Sequence, residues 1–218
     1  MNFTREEIRA SMLLYAVTDR RWLKQGQSLT AVCRDVLDSG ATFLQIREKD
    51  LDRAAFEREA GELKELCARR RVPFVVNDSV EIALAIGADG VHVGQSDIRG
   101  RDIRAMIGPD RILGISAGTA EEAAAAQRAG ADYIGAGAVF GTGTKEGARN
   151  LSMEQLRAIT RAVSIPVVAI GGIGPGNLRQ LRGSGVDGVA VVSAIFAAED
   201  PGAAAAELFK ILKEGGLK

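Results

Sequence analysis

Four times in 218 residues the chain places glycine, a small apolar residue and then threonine or aspartate directly before an apolar run. These are Gly40-Ala41-Thr42, Gly87-Ala88-Asp89, Gly130-Ala131-Asp132 and Gly185-Val186-Asp187. Each glycine ends a helical pattern and each following run reads as a buried strand, so the repeat unit is two strand–helix steps long. Four units give eight parallel strands, which favours closure into a (β/α)8 barrel. An open Rossmann or flavodoxin-like sheet would need fewer strands and an early glycine fingerprint. No linker or composition break divides residues 1–218, so the expectation is a single α/β domain, a (β/α)8 TIM barrel with a short extra N-terminal helix.

The elements follow from periodicity and capping. Thr4 and Glu7 have capping-box spacing ahead of the first strand, Leu13–Val17. A helix over about Ser28 to Ser39 buries Leu29, Val32, Cys33, Val36 and Leu37 and leads to strand Thr42–Ile46. Asp52 caps a helix carrying Phe56, Leu63 and Leu66 and ending in Arg69-Arg70-Arg71, followed by strand Pro73–Val76. Helix Val80–Ile86, strand Gly90–Val93, helix Ile98–Ile107 and strand Ile112–Ile115 come next. A second capping box, Thr119 with Glu122, opens an alanine-rich helix up to Ala129, before strand Asp132–Gly135. A helix from Ser152, with Gln155 in box position, precedes strand Ile165–Ile170. Pro175 is placed to begin the next helix, Gly188–Val192 is the eighth strand, and a final helix runs from about Pro201.

Composition removes several function classes. Lysine plus arginine and aspartate plus glutamate number 28 each, so no basic surplus argues for nucleic acid or an anionic membrane as partner. Aromatics are only 5%, too few for base-stacking platforms. Cys33 and Cys67 have no CxxC context, which reads as buried thiols in a reducing compartment and not as a zinc site. No signal-peptide pattern and no apolar run of membrane-span length is present, so a cytoplasmic location is expected.

A barrel turns strand ends into site candidates, because barrel active sites lie at the C-terminal face. Those positions hold Thr18 and Asp19, Gln45, Arg47 and Lys49, Asn77 and Asp78, then His92, Gln95 and Asp97, then Ser116. Arg47 and Lys49 can share a side in extended chain, and Gln45 faces the same way from within a buried strand. Read alone, Arg47-Glu48-Lys49-Asp50 is a solvated charge run paired across itself. Asp78 and Asp97 end adjacent strands, and two carboxylates suit Mg2+ shared with phosphate oxygens, the bland alternative being helix capping. His92, the sole histidine, reads more readily as a hydrogen-bonded residue of the barrel mouth than as a general base.

The loop Ala136–Arg149 is far longer than most strand–helix connections. Its Gly141-Thr142-Gly143-Thr144-Lys145 offers freed N–H groups, two hydroxyls and an ammonium to an oxyanion, without the P-loop order of residues. Gly171-Gly172 after strand seven and Val192-Ser193 after strand eight match the usual barrel monophosphate site. A diphosphate site and a monophosphate site together suggest group transfer with pyrophosphate release.

The motifs Tyr15-Ala-Val-Thr-Asp19, Gln45-Ile-Arg-Glu-Lys49, Val76-Asn-Asp78, Gly90-Val-His-Val-Gly-Gln-Ser-Asp97, Gly114-Ile-Ser116, Phe140-Gly-Thr-Gly-Thr-Lys145 and Ala169-Ile-Gly-Gly-Ile173 occur in this order over nearly the whole chain. Together they resemble the thiamine-phosphate synthase family. The resemblance implies a transferase of thiamine biosynthesis that joins 4-amino-2-methyl-5-hydroxymethylpyrimidine diphosphate to 4-methyl-5-(2-phosphoethyl)thiazole, by a dissociative path through a pyrimidine methylene cation. By that resemblance Gln45 contacts the pyrimidine, and Arg47, Lys49, Asn77, Ser116 and Lys145 contact the pyrophosphate. Of these, Arg47, Lys49, Ser116 and Lys145 are the expected catalytic residues. Asp78 and Asp97 hold Mg2+, and Thr142, Thr144, Gly172, Val192 and Ser193 hold the thiazole phosphate. The long loop is then expected to bridge the two anions as a lid. The implied partners are small-molecule substrates, with room for a homo-oligomer and no nucleic acid or membrane. Two departures stand out: glycine at position 141, where the family usually has proline, and Ala117-Gly118-Thr119, where a histidine often follows. A thiazole tautomerase, the sister activity expected to use that histidine, and a non-catalytic phosphate-binding regulatory barrel are the alternatives.

Overall fold

Eight short parallel strands each pair with the next, and the last closes on the first to make a barrel. In the computed structural model, which describes residues 3–141, 150–215 and 217, the strands are β1 (Leu14–Val17), β2 (Phe43–Ile46), β3 (Phe74–Asn77), β4 (Gly90–Val93), β5 (Ile112–Ala117), β6 (Tyr133–Gly137), β7 (Val167–Ile170) and β8 (Gly188–Val191). Helices α1 (Arg5–Ser11), α2 (Leu29–Asp38), α3 (Arg53–Ala68), α4 (Val80–Ala85), α5 (Ile103–Ile107), α6 (Ala120–Arg128), α7 (Met153–Ala162), α8 (Ser193–Phe196) and α9 (Pro201–Lys213) accompany them. The strands are nearly continuous apolar runs because one face meets the barrel interior and the other the helices. Tyr15, Val17, Phe43, Val75, Ile112, Tyr133, Val168 and Ala190 fill the interior, and Ile8 of α1 and Met12 at its C-cap pack into the same cluster, plugging the end away from the strand C-termini.

The four-fold sequence signature has a structural meaning at that closed end. Gly40, Gly87 and Gly130 take φ of 112°, 63° and 86° just past α2, α4 and α6. The residue after each donates its N–H five residues back, as in Ala41 to Val36, Ala88 to Ala83 and Ala131 to Ala126. This is the Schellman stop, which a side chain at the glycine would strain. The fourth glycine, Gly185 at 85°, follows a short 3-10 turn (Leu178–Leu181) and not an α-helix. The third residue of each signature then reaches sideways. Thr42 Oγ1 accepts from Leu14 N at 2.9 Å, Asp89 Oδ2 from Phe74 N at 3.0 Å, Asp132 Oδ2 from Leu113 N at 2.8 Å and Asp187 Oδ2 from Val167 N at 2.9 Å. Each oxygen thus satisfies an N–H at the start of an odd-numbered strand, so the signature staples β1 to β2, β3 to β4, β5 to β6 and β7 to β8.

Most of the expected caps are present. Thr4 and Glu7 form the full capping box, as do Ser152 and Gln155, and Asp52 caps α3; Ser28 and Asp200, not foreseen as caps, close the N-termini of α2 and α9. Three expectations need correction. The helix expected from Ile98 begins only at Ile103, because Gly100 turns left-handed at φ 70° and Asp102 supplies the cap. Thr119 caps α6, but Glu122 bonds Gly118 N instead of returning to Thr119, so that box is half formed. Pro175 begins no α-helix; it sits in a turn where Asn177 takes the Gly174 N–H and donates to the Gly172 carbonyl, and only the 3-10 turn follows. Cys33 and Cys67 are buried free thiols, both pushed well above their ordinary range by burial. No helix among the described residues is long and apolar enough to cross a membrane.

Candidate active site at the strand C-termini

One cavity of about 590 Å3 opens at the C-terminal ends of the strands. Gln45, Arg47, Lys49, Asn77, Asp78, Asp97, Ser116, Gly172, Val192 and Ser193 all line it, so the expected site residues that the structure describes converge on one pocket. Thr142, Thr144 and Lys145, and with them the expected lid, lie outside the described residues. Val17, Val168, Ile170 and Ala190 form an apolar floor.

The cationic side of the pocket is the segment after β2. Lys49 Nζ stands 2.7 Å from Asp78 Oδ2, an ion pair across the loops after β2 and β3. Asp78 itself sits at φ 60°, a left-handed conformation that Asp and Asn tolerate better than other side chains. Its N–H is anchored on the His92 carbonyl at 2.8 Å. Asp97 Oδ2 accepts from Gly94 N at 2.8 Å, closing the tight turn that follows β4. One oxygen of each carboxylate is therefore occupied by a protein donor, and the other has no hydrogen bond among the described residues.

Thr18 and Asp19, expected among the rim groups, do not line the cavity and are buried. They work from behind. Thr18 Oγ1 accepts from Arg47 N at 2.9 Å. Asp19 is pushed up by burial but more strongly held down by the hydrogen bonds and charge of Arg21, with Arg47 adding to the effect. The charge run is not self-paired either. The Glu48 side chain is only 2% exposed; it bonds Arg20 and accepts the N–H groups of Lys49 and Asp50 at 2.8 and 3.0 Å. Arg20 in turn reaches Glu59 at 2.7 Å. Burial raises the Glu48 carboxyl, but the Asp50 N–H, Arg20 and the Lys49 N–H together bring it below the ordinary value. Glu48 turned inward holds Arg47 and Lys49 facing the pocket.

His92 is the hydrogen-bonded mouth residue that its sequence context suggests, with Nδ1 3.0 Å from Tyr133 Oη and Nε2 3.0 Å from Ser116 Oγ. Gln95 Nε2 donates to the Ser116 carbonyl at 2.6 Å. Tyr15 and Tyr133, whose hydroxyls meet beneath His92 at 2.7 Å, escaped the strand-end reading because they lie within their strands. Their signal was available: a buried tyrosine hydroxyl needs a polar partner, and both sit in otherwise apolar runs.

On the opposite side, Gly171 and Gly172 take φ of 104° and 64°. A Cβ on Gly171 would fall 2.5 Å from Ala138 Cβ, and one on Gly172 would fall 2.2 Å from the Gly141 carbonyl oxygen. These glycines let the loops after β6 and β7 lie against each other, a packing role beside any anion role. Gly141 has φ of 74°, an angle closed to the proline ring. The helix after β8, α8, is a single turn of four residues with Val192 at its N-cap, which brings Ser193 to the rim.

Residues 14–195 match the family model described as thiamine monophosphate synthase. A thiamine-phosphate synthase of Desulfitobacterium hafniense is 47% identical over 199 residues, spanning 91% of this chain and 96% of the relative. One from Clostridium tetani is 44% identical over 201 residues, spanning 92% and 96%. Among solved structures, a thiamine phosphate pyrophosphorylase from Pyrococcus furiosus superposes with a TM-score of 0.87 at 40% identity, covering 95% of this chain and 98% of that one.

Proposed function

The chain belongs to the thiamine monophosphate synthase family and has thiamine-phosphate synthase activity, and from this premise we propose how the rim pocket performs it. The reaction joins the pyrimidine diphosphate to the thiazole phosphate and releases pyrophosphate. The observation that carries the proposal is the convergence of Arg47, Lys49, Asn77, Asp78, Asp97 and Ser116 on one cavity above an apolar floor.

In the proposed mechanism, Arg47, Lys49 and Lys145 neutralise the diphosphate as its C–O bond to the pyrimidine methylene breaks and both bonding electrons leave with oxygen. The Asn77 amide and the Ser116 hydroxyl donate to the same anion. The 4-amino group of the pyrimidine delocalises the positive charge of the methylene cation, and the thiazole nitrogen lone pair then forms the new C–N bond. No protein nucleophile takes part. The apolar floor of Val17, Val168, Ile170 and Ala190 serves to keep out water, which would otherwise capture the cation as the alcohol. Thr142, Thr144, Gly172, Val192 and Ser193 hold the thiazole phosphate, fixing the nitrogen in line.

Mg2+ fits this donor set: Asp78 and Asp97, each with one oxygen unbonded among the described residues, would supply two of the six oxygen ligands that the ion takes. Among the described residues no third acidic or sulfur ligand joins them, which suits an ion arriving with its substrate. When bound, Mg2+ would neutralise charge on the leaving group. Lys49, now paired with Asp78, is placed to pass from that carboxylate to the diphosphate. The test is pyrophosphate release from both substrates with Mg2+ in the wild type and in Asp78→Asn, which retains the left-handed backbone. Turnover should fall on the order of 100-fold while the melting temperature stays within a few degrees. Equal turnover in the variant would overturn the metal assignment, and no release by the wild type would overturn the whole reading.

A further inference from the structure

A hydrogen-bonded chain crosses the barrel along the pocket wall, from Gln45 to Ser116. Gln45 Nε2 donates to Tyr15 Oη, Tyr15 and Tyr133 hydroxyls stand 2.7 Å apart, Tyr133 Oη is 3.0 Å from His92 Nδ1, and His92 Nε2 is 3.0 Å from Ser116 Oγ. The chain has a built seat. A Cβ on Gly114 would fall 2.2 Å from Tyr133 Cζ and 2.5 Å from His92 Nδ1, and one on Gly135 would fall 3.0 Å from His92 Cε1. Glycine at these two strand positions makes the slot in which the imidazole and phenol meet.

Proton counting gives the chain a direction. Burial raises both tyrosine hydroxyls well above their ordinary range, so each is a neutral group with one proton to give. Tyr15 accepts from the Gln45 amide, which leaves its own proton for Tyr133. Tyr133 then gives its proton to His92 Nδ1. A neutral imidazole accepting at Nδ1 carries its proton at Nε2, and that N–H donates to Ser116 Oγ. With its oxygen so engaged, the Ser116 hydroxyl proton is left to turn into the cavity. The opposite order would make Tyr15 accept twice, from Gln45 and from Tyr133, and leave its own proton without a protein acceptor among the described residues.

We infer that Tyr15, Tyr133 and His92 are positioning residues that hold Ser116 as a hydrogen-bond donor to the departing diphosphate. The inference rests on the reading of Ser116 as a diphosphate contact. It couples two expected substrate contacts: the amide orientation of Gln45, at the pyrimidine end, sets the hydroxyl direction at the diphosphate end.

His92 is the only histidine, so 15N NMR of the intact protein reads its two nitrogens without ambiguity. The expected spectrum has Nδ1 unprotonated and Nε2 carrying the proton. Tyr133→Phe keeps the ring and removes the donor, so both tautomers should become populated. Tyr15→Phe cuts Gln45 out of the chain and leaves Tyr133 able either to donate or to accept at Nδ1, so it too should populate both tautomers, and a wild-type spectrum in this variant would remove Tyr15 and Gln45 from the chain. In steady-state kinetics Ser116→Ala should lower kcat on the order of 10–100-fold, the loss of one hydrogen bond to a charged group. Tyr133→Phe should lower kcat about tenfold in the wild-type background and less than about twofold in the Ser116→Ala background. A protonated Nδ1 in the wild type, an unchanged tautomer in Tyr133→Phe, or full multiplication of the two kinetic effects would each overturn the proposal. Unchanged turnover in Ser116→Ala would overturn it through its premise, and the nitrogen spectrum tells that failure apart from a failure of the chain.

Discussion

Replacing Arg20 by alanine should disturb both the stability of the barrel and its grip on the pyrimidine diphosphate. Arg20 lies outside the pocket, with its side chain 28% exposed, but it is the cation between Glu48 and Glu59, whose side chains are 2% and 20% exposed. Without it, Glu48 keeps the N–H groups of Lys49 and Asp50 and loses its counter-charge. Breaking a fully buried pair costs about 3–5 kcal/mol, whereas exposed pairs contribute at most about 1 kcal/mol. An arginine more than a quarter exposed beside a buried carboxylate falls between, at about 2 kcal/mol. For a chain of this length that lowers the melting temperature by about 4–8 °C. Because the freed carboxylate is the source of the cost, Arg20→Ala with Glu48→Gln should recover part of the loss relative to Arg20→Ala alone. Arg47 and Lys49 ride on the segment that Glu48 holds, so KM for the pyrimidine diphosphate should rise several-fold in Arg20→Ala while KM for the thiazole phosphate does not. Thermal melts and two-substrate kinetics measure both effects. A melting temperature within about 1 °C of wild type, or a double variant whose loss equals the sum of the singles, would refute the clamp.

The same carboxylate sets a pH dependence. Its folded value lies below the ordinary 4.5, so its stabilisation is complete above that pH and is lost as pH falls through the lower folded value. The stability gap between wild type and Glu48→Gln should therefore be flat from about pH 5 to 8 and should close only in more acid solution, as urea titrations at several pH values would show. At the closed end of the barrel, Gly188→Ala would drive a Cβ to 1.8 Å from the Met12 carbonyl oxygen, a backbone atom that cannot rotate away. It should cost about 3 kcal/mol or more, read as a fall in the denaturant midpoint or in soluble yield.

Which features could be read in advance follows from how local their causes are. Caps and stops are local: Thr4 with Glu7, Ser152 with Gln155, and Gly40, Gly87 and Gly130 at helix ends act within one turn, and the chain's pattern predicts them. The barrel follows from their repetition, and the rim residues follow from the barrel. The helix from Ile98 fails because one left-handed glycine, Gly100, outweighs an otherwise helical pattern. The one from Pro175 fails because Asn177 bends the chain back on Gly172. Glu48 looked like surface charge because its partner, Arg20, lies 28 residues away on another loop. The Tyr15–Tyr133 contact spans 118 residues and depends on which side chains the closed barrel turns inward. Pairings of that kind are properties of the closed shape, and no window of sequence contains them.

The four staples at the closed end divide the barrel into interchangeable parts. Thr42, Asp89, Asp132 and Asp187 each lock one odd strand to the even strand after it, so every quarter carries a side-chain fastening of its own. The opposite rim has no such regularity: each quarter ends there in a different chemistry, cationic after β2, carboxylate after β3 and glycine-rich after β7. For an engineer this is a chassis with a standard base and a bespoke top. A strand–helix–strand–helix quarter transplanted whole, with its staple, brings its own foundation, while a cut made inside a quarter severs it.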